Sequence, residues 1–313
     1  MKMLKLTNKF QFAYPICRNS LGPPAGDSFW CAQDETAYAR VDGVWRFLRP
    51  DRERHFHKFI QEYETVRGQE QRGSDDPDYY RSLPYLDKSW PLSHEWVIRA
   101  KSFKALVREV IAPLEESRKR ELKILDLGAG NGWLSNRLAG ADHAVVAVDL
   151  ITNSLDGLGT HRYYEKPYLP VQSEFDYLPF GDGQFDLAVF NASFHYAESY
   201  ETTLVEALRV LLPGASVVIL DTPIYRDADS GRQMVQEREA TFERLYGFPS
   251  NTIQSENYLT YQRLEQLAQE LQLNWNLIKP FYGWRWALRP LKARLLGRRE
   301  PAKFILAVGE RLT

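Results

Sequence analysis

Two cysteines, Cys17 and Cys31, are all that the 313 residues contain, too few for a secreted domain held together by disulfides. Long apolar runs are also missing. Stretches such as 215–220 have the length of a strand, so no segment reads as a membrane-spanning helix. Residues 1–20 lack a basic stretch followed by an apolar core, so no secretory signal is read and a cytoplasmic protein is expected. Neither sign of charge prevails, with 40 Lys and Arg against 41 Asp and Glu and a formal net charge of −1. That balance supplies no global pull toward nucleic acid or anionic membrane; nucleic acid is not expected as a partner, and a membrane would have to be held by a local patch.

The length suits one α/β domain of roughly 150–200 residues with additional structure. Residues 1–50 read as a small β-rich unit, with a loop at Gly22-Pro23-Pro24-Ala25-Gly26-Asp27 and a hairpin turn at Asp42-Gly43. After Pro50, Asp51 reads as the cap of a helix whose Phe56, Phe59, Ile60, Tyr63 and Val66 share one face. Residues 68–94 are polar and broken by Gly73, Pro77, Pro84 and Pro91, yet carry Tyr79, Tyr80, Tyr85 and Trp90. Those aromatics either close over a pocket on its substrate side or pack a lid onto the domain. Ser93 reads as the cap of a second helix with the stripe Trp96, Val97, Ala100, Phe103, Val107, Val110, Ile111 and Leu114. Residues 51–121 are thus expected to be a helical linker and lid. From 122 to 313, strand-like runs at 123–127, 144–150, 185–191, 215–221, 275–279 and 303–308 alternate with helical ones at 133–138, 203–212 and 261–271, the pattern of a doubly wound parallel sheet.

Within that domain Ile124-Leu125-Asp126-Leu127 is a buried strand that feeds Gly128-Ala129-Gly130-Asn131-Gly132 and then a helix, where open α/β sheets bind nucleotides. The dinucleotide spacing would need glycine at 133, where this chain has Trp133. Asp126, ahead of the first glycine, suits a cationic amino group better than a pyrophosphate. Asp149 ends the next strand, followed by Leu150, at an offset from which a carboxylate accepts from both ribose hydroxyls. Any one of these acids alone reads as readily as a solvated loop carboxylate or helix cap.

With Phe175-Asp176-Tyr177-Leu178-Pro179-Phe180, the strand Phe185 to Asn191 and the turn Leu211-Leu212-Pro213-Gly214-Ala215, residues 122–222 resemble the class I S-adenosylmethionine-dependent methyltransferases. The likeness is to the type 11 branch that contains the quinone-biosynthesis C-methyltransferases. It implies a Rossmann-like fold with a mostly parallel seven-stranded sheet, and S-adenosylmethionine as methyl donor, leaving as S-adenosylhomocysteine. It further implies that Asp176 accepts from the adenine amine, that the amides of Tyr177 and Leu178 reach the ring, and that Asn191 and Ala192 flank the donor.

Methyl transfer from a sulfonium chiefly needs alignment, a dry pocket and sometimes a base. The run Asn191-Ala192-Ser193-Phe194 lacks the Pro-Pro-aromatic of enzymes acting on planar nitrogen, which leaves an oxygen, carbon or amine of a small or lipophilic metabolite. His195 is either a base titrating near neutrality or a hydrogen-bonded pocket residue, with Tyr196 beside it on the acceptor side. Arg99 either meets the donor's carboxylate or lies on the surface.

Tyr14-Pro15-Ile16-Cys17, Cys31-Ala32-Gln33-Asp34 and the strand around Trp45 resemble a zinc ribbon in which Tyr14 and Asp34 stand at two ligand positions. Four thiolate or imidazole ligands are the norm for structural zinc, so no metal is expected and buried aromatics would replace it. Residues 282–299 concentrate Trp284, Arg285 and further cations; a peripheral membrane contact, a clamp on an acidic acceptor and a solvated insertion all fit. Two rival functions are a ribosomal RNA base methyltransferase and a non-catalytic S-adenosylmethionine-binding partner protein. Acceptor identity and oligomeric state are left open.

Overall fold

The computed structural model describes residues 6–22, 26–33, 35–86 and 92–312; Pro23, Pro24, Ala25, Asp34, Trp90 and Pro91 fall outside them. Its strands are β1 (Ser28–Cys31), β2 (Thr36–Val41), β3 (Val44–Arg46), β4 (Lys123–Leu127), β5 (Ala144–Asp149), β6 (Leu169–Gln172), β7 (Phe185–Asn191), β8 (Leu211–Leu220), β9 (Ile224–Tyr225), β10 (Leu259–Thr260), β11 (Leu273–Ile278) and β12 (Leu306–Arg311). Ten of them form one sheet in the order β1-β2-β3-β6-β5-β4-β7-β8-β12-β11, with β9 and β10 a separate parallel pair. Pairing is parallel from β3 through β8, while β12 runs antiparallel to both β8 and β11. The seven strands from β6 to β11 are the Rossmann-like sheet expected of the methyltransferase fold. Val145, Val146, Ala147 and Val148 are fully buried, as strands covered on both faces must be.

The N-terminal strands prolong this sheet. Trp45 pairs with Val171 and Arg46 with Gln172. Asp42 and Gly43 turn the β2–β3 hairpin with φ of 49° and 82°, the left-handed pair whose twist matches that of the strands. Phe12 stacks on Phe47 at 5.4 Å and meets Phe180 at 5.3 Å, and Phe10 stacks on Phe185 at 5.3 Å, so one core spans both parts of the chain. The Cys17 and Cys31 Sγ atoms lie 3.5 Å apart as free thiols, and the Tyr14 hydroxyl donates to the Trp30 carbonyl.

The helices are α1 (Pro50–Gln69), α2 (Pro77–Ser82), α3 (Ser93–Leu106), α4 (Ala112–Arg118), α5 (Trp133–Gly140), α6 (Tyr200–Val210), α7 (Ala228–Tyr246), α8 (Tyr261–Leu271), α9 (Trp284–Ala287) and α10 (Arg289–Leu295). A π-helical turn, Val107–Ile111, joins α3 to α4. Two caps differ from expectation. Arg49, not Asp51, precedes α1, because Pro50 fits a first turn where its missing N–H costs nothing. Leu92 precedes α3, and Ser93 is already helical. Strand β6 and helix α7 carry no pattern the sequence reading detects: β6 is four residues with Pro170 inside, and α7 buries only Gly231.

Phe12→Ala removes a ring that joins the N-terminal segment to Phe180, and should lower the stability measured by urea unfolding by about 3–5 kcal/mol. A loss under ~1 kcal/mol would show that the two parts do not unfold as one unit.

Candidate functional site

Chain order reverses between β4 and β7: one half of the sheet grows outward through β5 and β6, the other through β8. Loops leaving the C-terminal ends of β4 and β7 diverge and open a crevice. A cavity of about 370 Å³ occupies it, within the ordinary range of small-molecule sites.

The turn after β4 forms its floor. Gly128, Gly130 and Gly132 have φ of 74°, 54° and 70°. A Cβ on Gly128 would lie 2.2 Å from that of Ser193, and one on Gly132 2.0 Å from the Tyr168 hydroxyl. Gly128 and Ala129 both donate to the Val148 carbonyl, at 2.8 and 3.0 Å, which pins the turn to β5. The Gly130 N–H then reaches Asp149 Oδ2 at 2.7 Å, and Ile151 N–H reaches Oδ1 at 2.8 Å. Asp149 lines the cavity, and a carboxylate oxygen can accept more than one hydrogen bond. Burial pushes the Asp149 carboxyl up to about 6, against the lowering effect of those N–H donors.

Asp126 does not face the cavity. Its Oδ2 accepts from Ser135 Oγ at 2.7 Å, so it ties β4 to α5, and burial pushes it up to about 7. The partner it has in this structure is a structural one, rather than a group facing the cavity. Asp176 lines the cavity with Oδ1 accepting from Thr203 Oγ1 at 2.5 Å. Tyr177 and Leu178 do not line it, and the Leu178 N–H donates to Glu206 Oε1 at 2.7 Å. Gly132 sits behind the turn, outside the lining, whereas Ala129, Asn131 and Leu150 belong to it.

Asn191 and Ala192 lie at the end of β7, with Ala192 at φ 56°; Asp221, at the end of β8, has φ 53°. Left-handed residues that are not glycine persist where surrounding contacts hold them, and these two shape the rim of the crevice. Asn191 Oδ1 is buried with no hydrogen-bond partner among the described residues. Arg99, half-buried, reaches the cavity from α3 with its guanidinium 5.3 Å from the Trp96 ring centre. Burial lowers its pKa while Asp221 opposes the shift. Asp221 accepts from Ser102 Oγ at 2.5 Å, and burial pushes its carboxyl up to about 6.

His195 lines the same cavity, and its Nδ1 is buried without a partner among the described residues. Burial, aided by Arg238 and Arg99, pushes the imidazole down to about 3, so the near-neutral titration expected of it is not what this environment yields. Tyr79 and Tyr196 also line the cavity. Tyr80, Tyr85, Trp284 and Arg285 do not. Tyr80 is a packing residue whose hydroxyl donates to the Leu155 carbonyl at 2.6 Å, and Tyr85 lies exposed beneath the Arg137 guanidinium.

One wall of the cavity comes from α1, which no motif in the sequence marks. Phe56, Phe59, Tyr63 and Arg67 of α1 all line the cavity, and Arg67 Nε donates to Asp156 Oδ2. Their three- and four-residue spacing was visible as an apolar stripe; the cue to its function was that Arg67 continues that stripe.

Residues 125–219 match the family described as a methyltransferase domain. Over that segment the chain is similar to the class I S-adenosylmethionine-dependent methyltransferases. It is similar to a malonyl-[acyl-carrier protein] O-methyltransferase of Erwinia pyrifoliae, 34% identical over 106 residues, which are 34% of this chain and 39% of that one. It is also similar to a 2-phytyl-1,4-naphtoquinone methyltransferase of Nostoc punctiforme, 37% identical over 31% of this chain and 45% of that one. The chain thus spans less than half the length of these curated relatives. Among solved structures, the plantazolicin methyltransferase BpumL in complex with SAH aligns at a TM-score of 0.47 and 14% identity, over 83% of this chain and 98% of that one.

Two outcomes follow for this site. Gly128→Ala should unfold it or remove nucleoside binding, read by calorimetry and thermal melting, since the new methyl overlaps Ser193; full retention of both would mean the turn can relax. The His195 ring resonances should not titrate between pH 5 and 8, and a midpoint near 6.5 in NMR would return the residue to the role of a base.

Proposed function

We infer that the chain transfers a methyl group from S-adenosylmethionine to an oxygen, carbon or amine of a small or lipophilic metabolite. The observation that carries this reading is the Asp149 carboxylate, which lines the cavity while the N–H groups of Gly130 and Ile151 hold its two oxygens in place. That arrangement suits two vicinal hydroxyls, and it lies at the switch point of the sheet inside the matched segment. Asp149 would hold the ribose, the remaining oxygen of Asp176 the adenine amine, and Arg99 the methionine carboxylate, while the glycine turn lets the chain pass close beside the nucleoside. The donor, when bound, supplies a methyl group on a positively charged sulfur.

The chain's own residues then have to align the acceptor and exclude water. Phe56, Phe59, Tyr63, Tyr196 and Phe304 present aromatic surface to the same cavity, which favours an acceptor with an apolar part. The names of the relatives, a malonyl-carrier O-methyltransferase and a phytyl-naphthoquinone methyltransferase, are consistent with that class. His195, neutral over the physiological range, would orient the acceptor through hydrogen bonding.

Calorimetry with S-adenosylhomocysteine tests the donor site. Asp149→Asn should weaken binding about 10- to 100-fold, the cost of losing a charged acceptor. Because the ionised carboxylate is the form that accepts both hydroxyls and burial raises its pKa to about 6, affinity should fall as pH drops through 6 and level off above about 7. Binding independent of pH between 5 and 8 would contradict the assignment. Transfer of label from donor into a metabolite extract tests catalysis; binding without transfer would make the chain a sensor of the nucleoside.

A further inference from the structure

The segment formed by α9 and α10 is apolar on two opposite faces. Inward, the Trp286 ring packs on Tyr282 at 5.2 Å and on Phe304 at 5.3 Å. Outward, Trp284, Leu288, Leu291 and Leu295 follow one another at four-, three- and four-residue steps, and Leu288, which joins the helices, is itself near-helical at φ −83° and ψ −6°. They form a single stripe, from Trp284 at 76% exposure through Leu288 and Leu291 at 55% each to Leu295 at 77%, with exposed Phe281 and Leu296 at its ends. Burying a helix's inner face in the core accounts for only one apolar face; the second needs a partner.

Charge identifies that partner. From Lys279 to Arg299 the chain has no acidic residue. Arg285, Lys292, Arg294 and Arg298 flank the stripe and are exposed, and none of them forms an ion pair among the described residues. Tryptophan and leucine in a stripe bordered by free cations match the surface of a bilayer with anionic headgroups, where the apolar side chains enter the acyl boundary and the cations meet phosphate. Beneath the segment lies a second cavity of about 460 Å³, lined by Tyr282, Trp286, Arg289 and Pro290, and Phe304 is a wall common to it and to the cavity holding Asp149.

We propose that residues 281–296 lay the Trp284–Leu295 stripe onto an anionic lipid surface, which sets the second cavity between the bilayer and the acceptor side of the site. Lipid binding itself does not require the methyltransferase reading; delivery of a lipophilic acceptor rests on it.

Co-sedimentation of the full chain with phosphatidylcholine vesicles, with and without phosphatidylglycerol, tests the proposal. Binding is expected only where phosphatidylglycerol is present and should weaken as salt shortens the screening length. The double variant Leu291→Gln, Leu295→Gln, and separately Arg285→Glu with Arg294→Glu, should each lose ~10-fold or more in apparent affinity. Unchanged S-adenosylhomocysteine binding in these variants shows that they are folded and keeps the donor-site reading separate. No sedimentation at low salt, or equal sedimentation of wild type and variants, would overturn the proposal. So would a dimer in solution that the leucine variant dissociates, since the stripe would then belong to a second copy of this chain.

Discussion

The turn that follows β4 has to leave a fully buried strand, touch Ser193 and Tyr168 without side chains of its own, and deliver the Gly130 N–H to Asp149, which glycines in the left-handed region allow. Much of the site depends on that turn. It pins β4 to β5 through the Val148 carbonyl and sets the Asp149 carboxylate at the mouth of the crevice. Asp126, one strand layer beneath, contributes by fastening β4 to α5.

A second condition is enclosure. The wall from α1 and the lid residue Tyr79 close over groups that would otherwise be hydrated, and one cause, burial, accounts for opposite shifts: Asp126, Asp149 and Asp221 move up while His195 and Arg99 move down. In a cavity of that kind charge is expensive until a ligand of opposite sign or a set of hydroxyls arrives. Nδ1 of His195 and Oδ1 of Asn191 are buried there without a partner among the described residues.

Much of this was legible from residue order. Strand β7 and helix α8 fall where apolar periodicity places them, and the Asp42-Gly43 hairpin where turn chemistry does. Strand β6 was not, because four residues containing a proline do not read as the interior of a sheet, yet Leu169 to Gln172 are flanked on both sides by β5 and β3. The site divided in the same way. Asp149 and Asp176 reach the cavity, but Asp126, Tyr177, Leu178, Tyr80 and Tyr85 do not. Local sequence says which residue type sits at a strand end, while the direction of its side chain depends on which neighbour claims it first: Ser135 for Asp126, Glu206 for the Leu178 amide, Leu155 for Tyr80.

The order of glycines and acids along 126–149 by itself determined the left-handed turn after β4 and the carboxylate at the end of β5, because backbone freedom and strand termination are local properties. The cavity wall, the placement of the N-terminal strands and the ionisation of His195 were decided only in three dimensions. Each depends on contacts between residues far apart in the chain: Arg67 with Asp156, Trp45 with Val171, and His195 with Arg99 and Arg238. Packing and desolvation act through space, so no reading along the chain can recover them.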